Sequence, residues 1–246
     1  EWSCAYGRGR LDDLVMSRIA IIPARGGSKR IPKKNIIDFR GKPMIAWTIE
    51  AALRSDLFDQ VLVSTDNKDI AEIAKQYGAA VPFLRKEHCD DYVPVSDATI
   101  AALKQAEEYW AVEYEFVVQL MPNCPLRNHR HILDAISFFE KNDAQYQISC
   151  FRFGWMNPWW AVRLDGDFCP HYLFPNSVTK RSQDLDPIYC PTGAIWIADR
   201  RCLLEAGTFY GPAHRFHPME WNAAIDIDDH ADLMMALALA GVTASG

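Results

Sequence analysis

The chain has 246 residues, 49% of them hydrophobic and 24% charged, with a formal net charge of −6. That length suits one large α/β domain, or one domain with an insertion, and the composition is that of an ordinary globular protein. The acidic balance argues against a general nucleic-acid binder, which carries a basic domain, and no apolar run reaches the ~20 residues of a membrane span.

Residues 1–15, EWSCAYGRGRLDDLV, lack the apolar stretch of a signal peptide and are expected to lie outside a fold that begins at Met16. SRIAIIPA (17–24) then reads as a strand and PMIAWTIEAALRS (43–55) as an amphipathic helix. QVLVSTD (60–66) is a second strand, and KDIAEIAKQYG (68–78) a helix ending on a glycine suited to its C-cap. AVPFLR (80–85) predicts a short strand, and SDATIAALKQAEEYW (96–110) a helix with Ser96 as N-cap. EFVVQLM (115–121) predicts a buried strand and RHILDAISFFEKND (130–143) a helix. Strands that are continuously apolar and alternate with helices predict a Rossmann-like α/β fold, a mostly parallel sheet with helices on both faces.

The pattern changes after residue 147. QISCFRF (147–153) is a strand, but 154–190 is rich in Trp, Pro, Tyr and Phe without periodicity. GAIWIAD (193–199), a helix from about Arg200, a strand AAIDID (223–228) and a closing helix (229–240) resume the regular order. A segment that leaves the alternation and rejoins it reads as an insertion in a single domain spanning 16–246. Its aromatic load predicts cover by a second copy of the chain. The seven cysteines, at 4, 89, 124, 150, 169, 190 and 202, form no CxxC pair. That speaks against zinc and disulfide frameworks and for reduced thiols in a cytoplasm.

The loop after the first strand carries the chemistry. In IIPARGGSKRIPKKN (21–35), two apolar residues run into Arg25, Gly26, Gly27, Ser28, Lys29 and Arg30, with Lys33, Lys34 and Asn35 beyond Pro32. So much positive charge repels itself unless an anion sits within it. Ligands of open α/β sheets bind beyond the carboxyl ends of strands, where this loop lies. It matches neither the dinucleotide fingerprint nor the P-loop. Glycines that admit a close backbone approach, with Arg25, Lys29 and Lys34 for charge, suit a triphosphate. A solvated basic loop is the competing reading. Near the other end, Asp226 and Asp228 stand two apart on the expected strand, so both point to one face. Paired carboxylates repel unless a cation sits between them, and their oxygens suit Mg²⁺. The alternative is a strand end capping the next helix, a task Asp229 can serve.

The opening I-P-A-R-G-G-S-K-R-I-P-K-K-N with GKPMIAWTI, the segment VLVSTDNKDIAEIAKQYGA, P-N-C-P-L-R (122–127), GAIWIAD and AAIDIDDHADL together resemble the acylneuraminate cytidylyltransferases. The likeness runs from about residue 17 to 240 and is weakest at 154–178. It implies a nucleotide-diphospho-sugar transferase fold, CTP and a nonulosonic acid as substrates, Mg²⁺, and a dimerisation element in the aromatic insertion. It implies that Arg25, Ser28 and Lys29 hold the triphosphate while Lys34 and Asn35 close the nucleotide pocket. Arg85 would read the base, Asp91 and Ser96 would lie in the next nucleotide-binding stretch, and Arg127 would be structural. Arg181 would meet the sugar acid, and Asp226 and Asp228 the metal. Two departures fall on the sugar side: Met121 stands where the family often has Gln, and Thr192 where sialic-acid enzymes have Asn. IPKKNIIDFRGKP, CDDYVPVS and RSQDL also resemble the pseudaminic-acid branch, so the sugar is pseudaminic, legionaminic or sialic acid. The implied activity is transfer of CMP from CTP to a nine-carbon 2-keto sugar acid. Its rivals are transfer to a shorter keto-sugar acid and a nucleotide-binding regulator without catalysis.

Overall fold

The computed structural model describes residues 17–87 and 93–243. Strand β1 (Arg18–Pro23) is followed by a 3-10 turn (Lys34–Ile36) and a two-residue hairpin, β2 (Asp38–Phe39) and β3 (Lys42–Pro43). Helix α1 (Met44–Ser55), β4 (Gln60–Ser64), α2 (Lys68–Gln76), α3 (Val95–Trp110), β5 (Phe116–Gln119), α4 (His129–Lys141) and β6 (Tyr146–Arg152) continue the alternation. A small hairpin, β7 (Val162–Leu164) and β8 (Pro170–Tyr172), precedes β9 (Tyr189–Asp199), α5 (Arg200–Ala206), β10 (Arg215–Pro218) and α6 (His230–Thr243).

Six strands form the central sheet in the order β10-β6-β9-β5-β1-β4. β1 pairs in parallel with β4 and β5, and β10 with β6, while β9 runs antiparallel between β5 and β6. Side-chain alternation along β1 divides the core. Ala20 and Ile22 pack with α1, α2 and α4 on one face, and Ile19 and Ile21 with α3 and α5 on the other. All four are fully buried, as a strand covered on both faces requires. A third cluster joins Ile31, Phe39 and Met44 to Ile225, Ile227 and Ala236, so α6 docks on the segment that follows β1.

Three expected elements differ. Residues 80–85 make a single parallel bridge, Ala80 to Leu62, because Pro82 has no N–H to extend the ladder. Ser96 is not the cap of α3: the helix begins at Val95 after Pro94, and Ser96 is buried in its first turn. Residues 223–228 pair with no strand among the described residues. They still alternate, with Ile225 and Ile227 buried and Asp226 and Asp228 on the opposite side. Asp229 does act as the cap of α6, accepting the N–H groups of Ala231 at 2.8 Å and Asp232 at 3.1 Å. Gly78 closes α2 at φ +93°, the left-handed conformation a glycine cap supplies. Among the described residues, no helix is long and apolar enough to cross a membrane.

Candidate active site

The parallel strands β1, β4 and β5 deliver their following loops to one edge of the sheet, which builds the site. The 24–35 loop is tied down from three directions. Ala24 donates to the Ser64 carbonyl at 2.9 Å, Gly26 donates to Asp66 Oδ1 at 2.8 Å, and the buried Asn35 amide donates to the Arg25 carbonyl at 2.9 Å. Gly26 sits so close to Asn67 that a Cβ there would lie 2.9 Å from the Asn67 Cβ, whereas one on Gly27 would meet open space.

One acid, Asp228, reaches this loop from about two hundred residues away in sequence, and Asp226 lines the same cleft beside it. Lys34 Nζ donates to the Ile227 carbonyl at 2.8 Å and to Asp228 Oδ1 at 3.0 Å, and Arg30 meets Asp228 Oδ2 at 2.7 Å. Asn123, buried on the loop after β5, donates its amide to Asp226 Oδ1 and to the Ile227 carbonyl. The two carboxyls are poised differently. Burial pushes Asp226 up to about 6, and the charge of Asp228 pushes the same way against the pull of Lys34. Burial also opposes ionisation of Asp228, but its hydrogen bonds and charge contacts with Lys34 and Arg30 outweigh that and hold its carboxyl below the usual range.

Three adjoining cavities share these residues. A cationic pocket of about 280 Å³ is lined by Arg25, Ser28, Lys29, Arg30, Lys34 and Asp228. A cleft of about 340 Å³ runs on from it, with Arg25, Ser28, Lys34, Asn35, Arg85, Met121, Asn123, Asp226 and Asp228 in its walls. Beyond Asp226 opens an apolar cavity of about 390 Å³, lined by Phe151, Met156, Thr192, Gly193, Trp196, Tyr210 and Trp221 among others. Asp228 thus stands between the cationic pocket and the cleft, and Asp226 between the cleft and the apolar cavity.

Most of the residues singled out from sequence meet here. Thr192 is buried and bonded to the Ala224 carbonyl at 2.9 Å, so its presence in the apolar wall is a matter of shape. Arg127 is buried behind the site, donating to the Ala194 carbonyl at 2.8 Å and to Thr48 at 2.6 Å. Ser96 lines none of the three cavities, and Arg181 lies exposed in the aromatic segment, doubly bonded to Asp184 at 2.7 and 3.1 Å. Asp91 falls outside the described residues. Sequence reasoning missed Asn123 and Asp66, because each acts on a partner distant in sequence.

A parallel-centred sheet with a cationic glycine loop and an acidic pair at its carboxyl edge defines a nucleotide-handling α/β protein of the transferase kind. The sequence profile described as cytidylyltransferase matches residues 19–153, and the chain belongs to that family. It is 36% identical over 223 residues to a pseudaminic acid cytidylyltransferase of Campylobacter jejuni, covering 90% of this chain and 95% of that protein. A Legionella pneumophila CMP-N,N'-diacetyllegionaminic acid synthase is 35% identical over 88% of this chain and 93% of its own length. An Escherichia coli N-acylneuraminate cytidylyltransferase is 32% identical over 90% of this chain, which spans 51% of that longer protein. The structure of a CMP:2-keto-3-deoxy-manno-octonic acid synthetase complexed with CTP superposes with a TM-score of 0.69 at 18% identity, over 92% of this chain and 99% of that one, a likeness of fold.

Proposed function

We propose that this chain transfers CMP from CTP to the anomeric hydroxyl of a nine-carbon 2-keto sugar acid, releasing pyrophosphate, and that it works as a Mg²⁺-dependent homodimer in the cytoplasm. The observation that carries the reading is the meeting of the cationic loop with Asp226 and Asp228 across one cleft, 3.0 Å apart at Lys34 and Asp228.

The residues suit a divalent cation. Among the described residues no cluster of three or more His, Cys, Asp or Glu gathers as a metal cage. Mg²⁺ is commonly held by one or two carboxylates together with substrate phosphates, so a pair is enough. The like charge of Asp228 on the half-starved Asp226 carboxyl is the repulsion that a cation between them relieves. When bound, Mg²⁺ neutralises phosphate charge and orients the reacting phosphate.

The chain's own groups do the positioning. Arg25, Ser28, Lys29 and Arg30 receive the β- and γ-phosphates in the cationic pocket and offset the charge that gathers on departing pyrophosphate. Arg85, buried in the far wall of the cleft, faces the nucleoside. The sugar fills the apolar cavity beyond Asp226, against the Thr192–Gly193 wall, which Met121 backs from the cleft side. Its hydroxyl oxygen bonds to the α-phosphorus as the link to pyrophosphate breaks in line and the hydroxyl proton is released to solvent, a reaction in which alignment supplies most of the acceleration. The second copy covers the aromatic segment, where Trp155 is 85% and Phe168 80% exposed.

Pyrophosphate release tests the reading, with CTP, Mg²⁺ and a panel of pseudaminic, legionaminic and sialic acids and one eight-carbon 2-keto sugar acid. Release with at least one of the nine-carbon acids, and none when UTP replaces CTP, is expected. No release with any member would sustain the non-catalytic rival instead, and release with only an eight-carbon acid would sustain the shorter-sugar rival.

A further inference from the structure

With no sheet partner among the described residues, residues 223–228 lack the ladder that would hold Asp226 and Asp228 in place. Side chains hold them instead. Asp232 Oδ2 accepts the N–H groups of Asp228 at 2.9 Å and Asp229 at 3.0 Å, which fixes the backbone just past the site. Lys34 grips the Ile227 carbonyl and Asp228. Arg30 meets the other Asp228 oxygen at 2.7 Å, and Thr192 holds the Ala224 carbonyl. Asn123 completes the set: its backbone carbonyl accepts the Ile227 N–H at 2.9 Å, and its side-chain amide nitrogen donates to the Ile227 carbonyl at 3.1 Å and to Asp226 Oδ1.

These anchors are not equivalent once nucleotide arrives. Lys34 lines both the cationic pocket and the cleft, so incoming phosphates compete for its ammonium and loosen its hold on Asp228. Asp232 touches backbone only, and beyond Asp226. Asn123 is neutral and 3% exposed, so phosphate has no electrostatic claim on it. Its other amide atom, Oδ1, is buried without a partner, a burden that an apolar side chain of similar size would not bring. The nitrogen's contacts with Asp226 and Ile227 are what the amide gives in return. The remaining oxygen of Asp226, Oδ2, lies beside Gly193, and Asp226 lines both the cleft and the apolar cavity.

We propose that Asn123 is a positioning residue of the cation site: its amide fixes one oxygen of Asp226, leaves the other to the metal, and keeps that arrangement while Lys34 changes partners. This rests on the reading of Asp226 and Asp228 as cation ligands. Removing a side chain that orients a metal ligand typically weakens metal binding by ~10–100-fold.

The test uses Mn²⁺ as the probe, titrated by electron paramagnetic resonance into the full chain saturated with CTP and without sugar. Asn123→Leu keeps the volume and deletes the donor, and Asn123→Ser keeps a hydroxyl too short to span both partners. Either variant, at saturating CTP, should bind Mn²⁺ at least tenfold more weakly than the unmodified chain. Hydrogen exchange at residues 225–229 in the metal-free protein should rise in the same variants, a change that a packing role alone would spread over the neighbouring core. Should Asn123→Leu misfold, the serine variant answers alone. Wild-type Mn²⁺ affinity in a folded variant would refute the inference and leave the carboxylate reading standing. Failure of the unmodified chain to bind Mn²⁺ would remove both.

Discussion

Replacing Gly26 by alanine places a methyl carbon 2.9 Å from the Asn67 Cβ and 2.9 Å from its amide nitrogen. Ordinary contact begins near 3.4 Å, so one segment must retreat by at least 0.5 Å. Neither does so freely. The Gly26 N–H is held by Asp66 at 2.8 Å, and Asn67 caps α2 by accepting the Ile70 N–H at 3.1 Å. If the cap yields, its loss costs ~1 kcal/mol, and overpacking of this size costs ~1–3 kcal/mol. In a chain of this length each kcal/mol lowers the melting midpoint by about 2–4 °C, so a penalty of ~1–3 kcal/mol predicts a fall of about 2–12 °C. If the loop yields instead, Arg25 and Ser28 move away from Asp226 and Asp228, and a displacement near 1 Å costs ~10²-fold in turnover. Thermal melting and pyrophosphate release with CTP, Mg²⁺ and the accepted sugar acid measure both. Asn67→Gly removes the carbon that alanine strikes, and glycine as an N-cap costs only a few tenths of a kcal/mol. The double variant should therefore regain most of what Gly26→Ala lost. A Gly26→Ala protein with unchanged midpoint and rate, or a double variant as damaged as the single one, would refute the reasoning.

Two other perturbations have defined outcomes. Arg25→Ala removes an oriented charge from the triphosphate pocket and should lower kcat by ~10²–10³ with little change in melting midpoint; wild-type kinetics would contradict the phosphate cradle. Burial lowers the pKa of both His131 and His217 below the ordinary 6.5, so the unfolded chain takes up protons that the folded one refuses. Both imidazoles therefore subtract stability as pH drops through 6.5, while Asp226, raised to about 6, adds some back; in an Asp226→Asn background, which removes that opposing carboxyl, the melting midpoint at pH 5.5 should lie below that at 7.5. His131→Gln, which can still accept the Asn128 N–H as part of the capping box, should flatten that slope, and an unaltered slope would exclude the imidazole as its source.

The alternation of strands and helices was legible because β1, β4 and β5 are buried on both faces and their apolar runs are uninterrupted. The antiparallel direction of β9 was not, since GAIWIAD has the same side-chain pattern either way. Residues 223–228 show why periodicity can mislead. Ile225 and Ile227 face inward and Asp226 and Asp228 face the cleft, as a strand would place them, yet their backbone bonds go to Asn123 and Lys34. The acidic pair could thus be placed on one face for a reason that was only half right. The cationic loop was readable because its charge opposes that of the whole chain. Asn123 was not, because a neutral side chain that acts on residues 103 and 104 positions away leaves no local mark. Arg181 remains where sequence could not follow it: paired with Asp184 on an exposed turn of the aromatic segment, outside all three cavities.

A crystal grown with CTP and Mn²⁺ offers the most direct measurement, since anomalous scattering locates the metal independently of the surrounding density. One peak within bonding distance of both the Asp226 and Asp228 carboxylates, with the triphosphate lying over residues 25–30, is the predicted result. A metal bound away from those acids, or a triphosphate seated at another edge of the sheet, would contradict it.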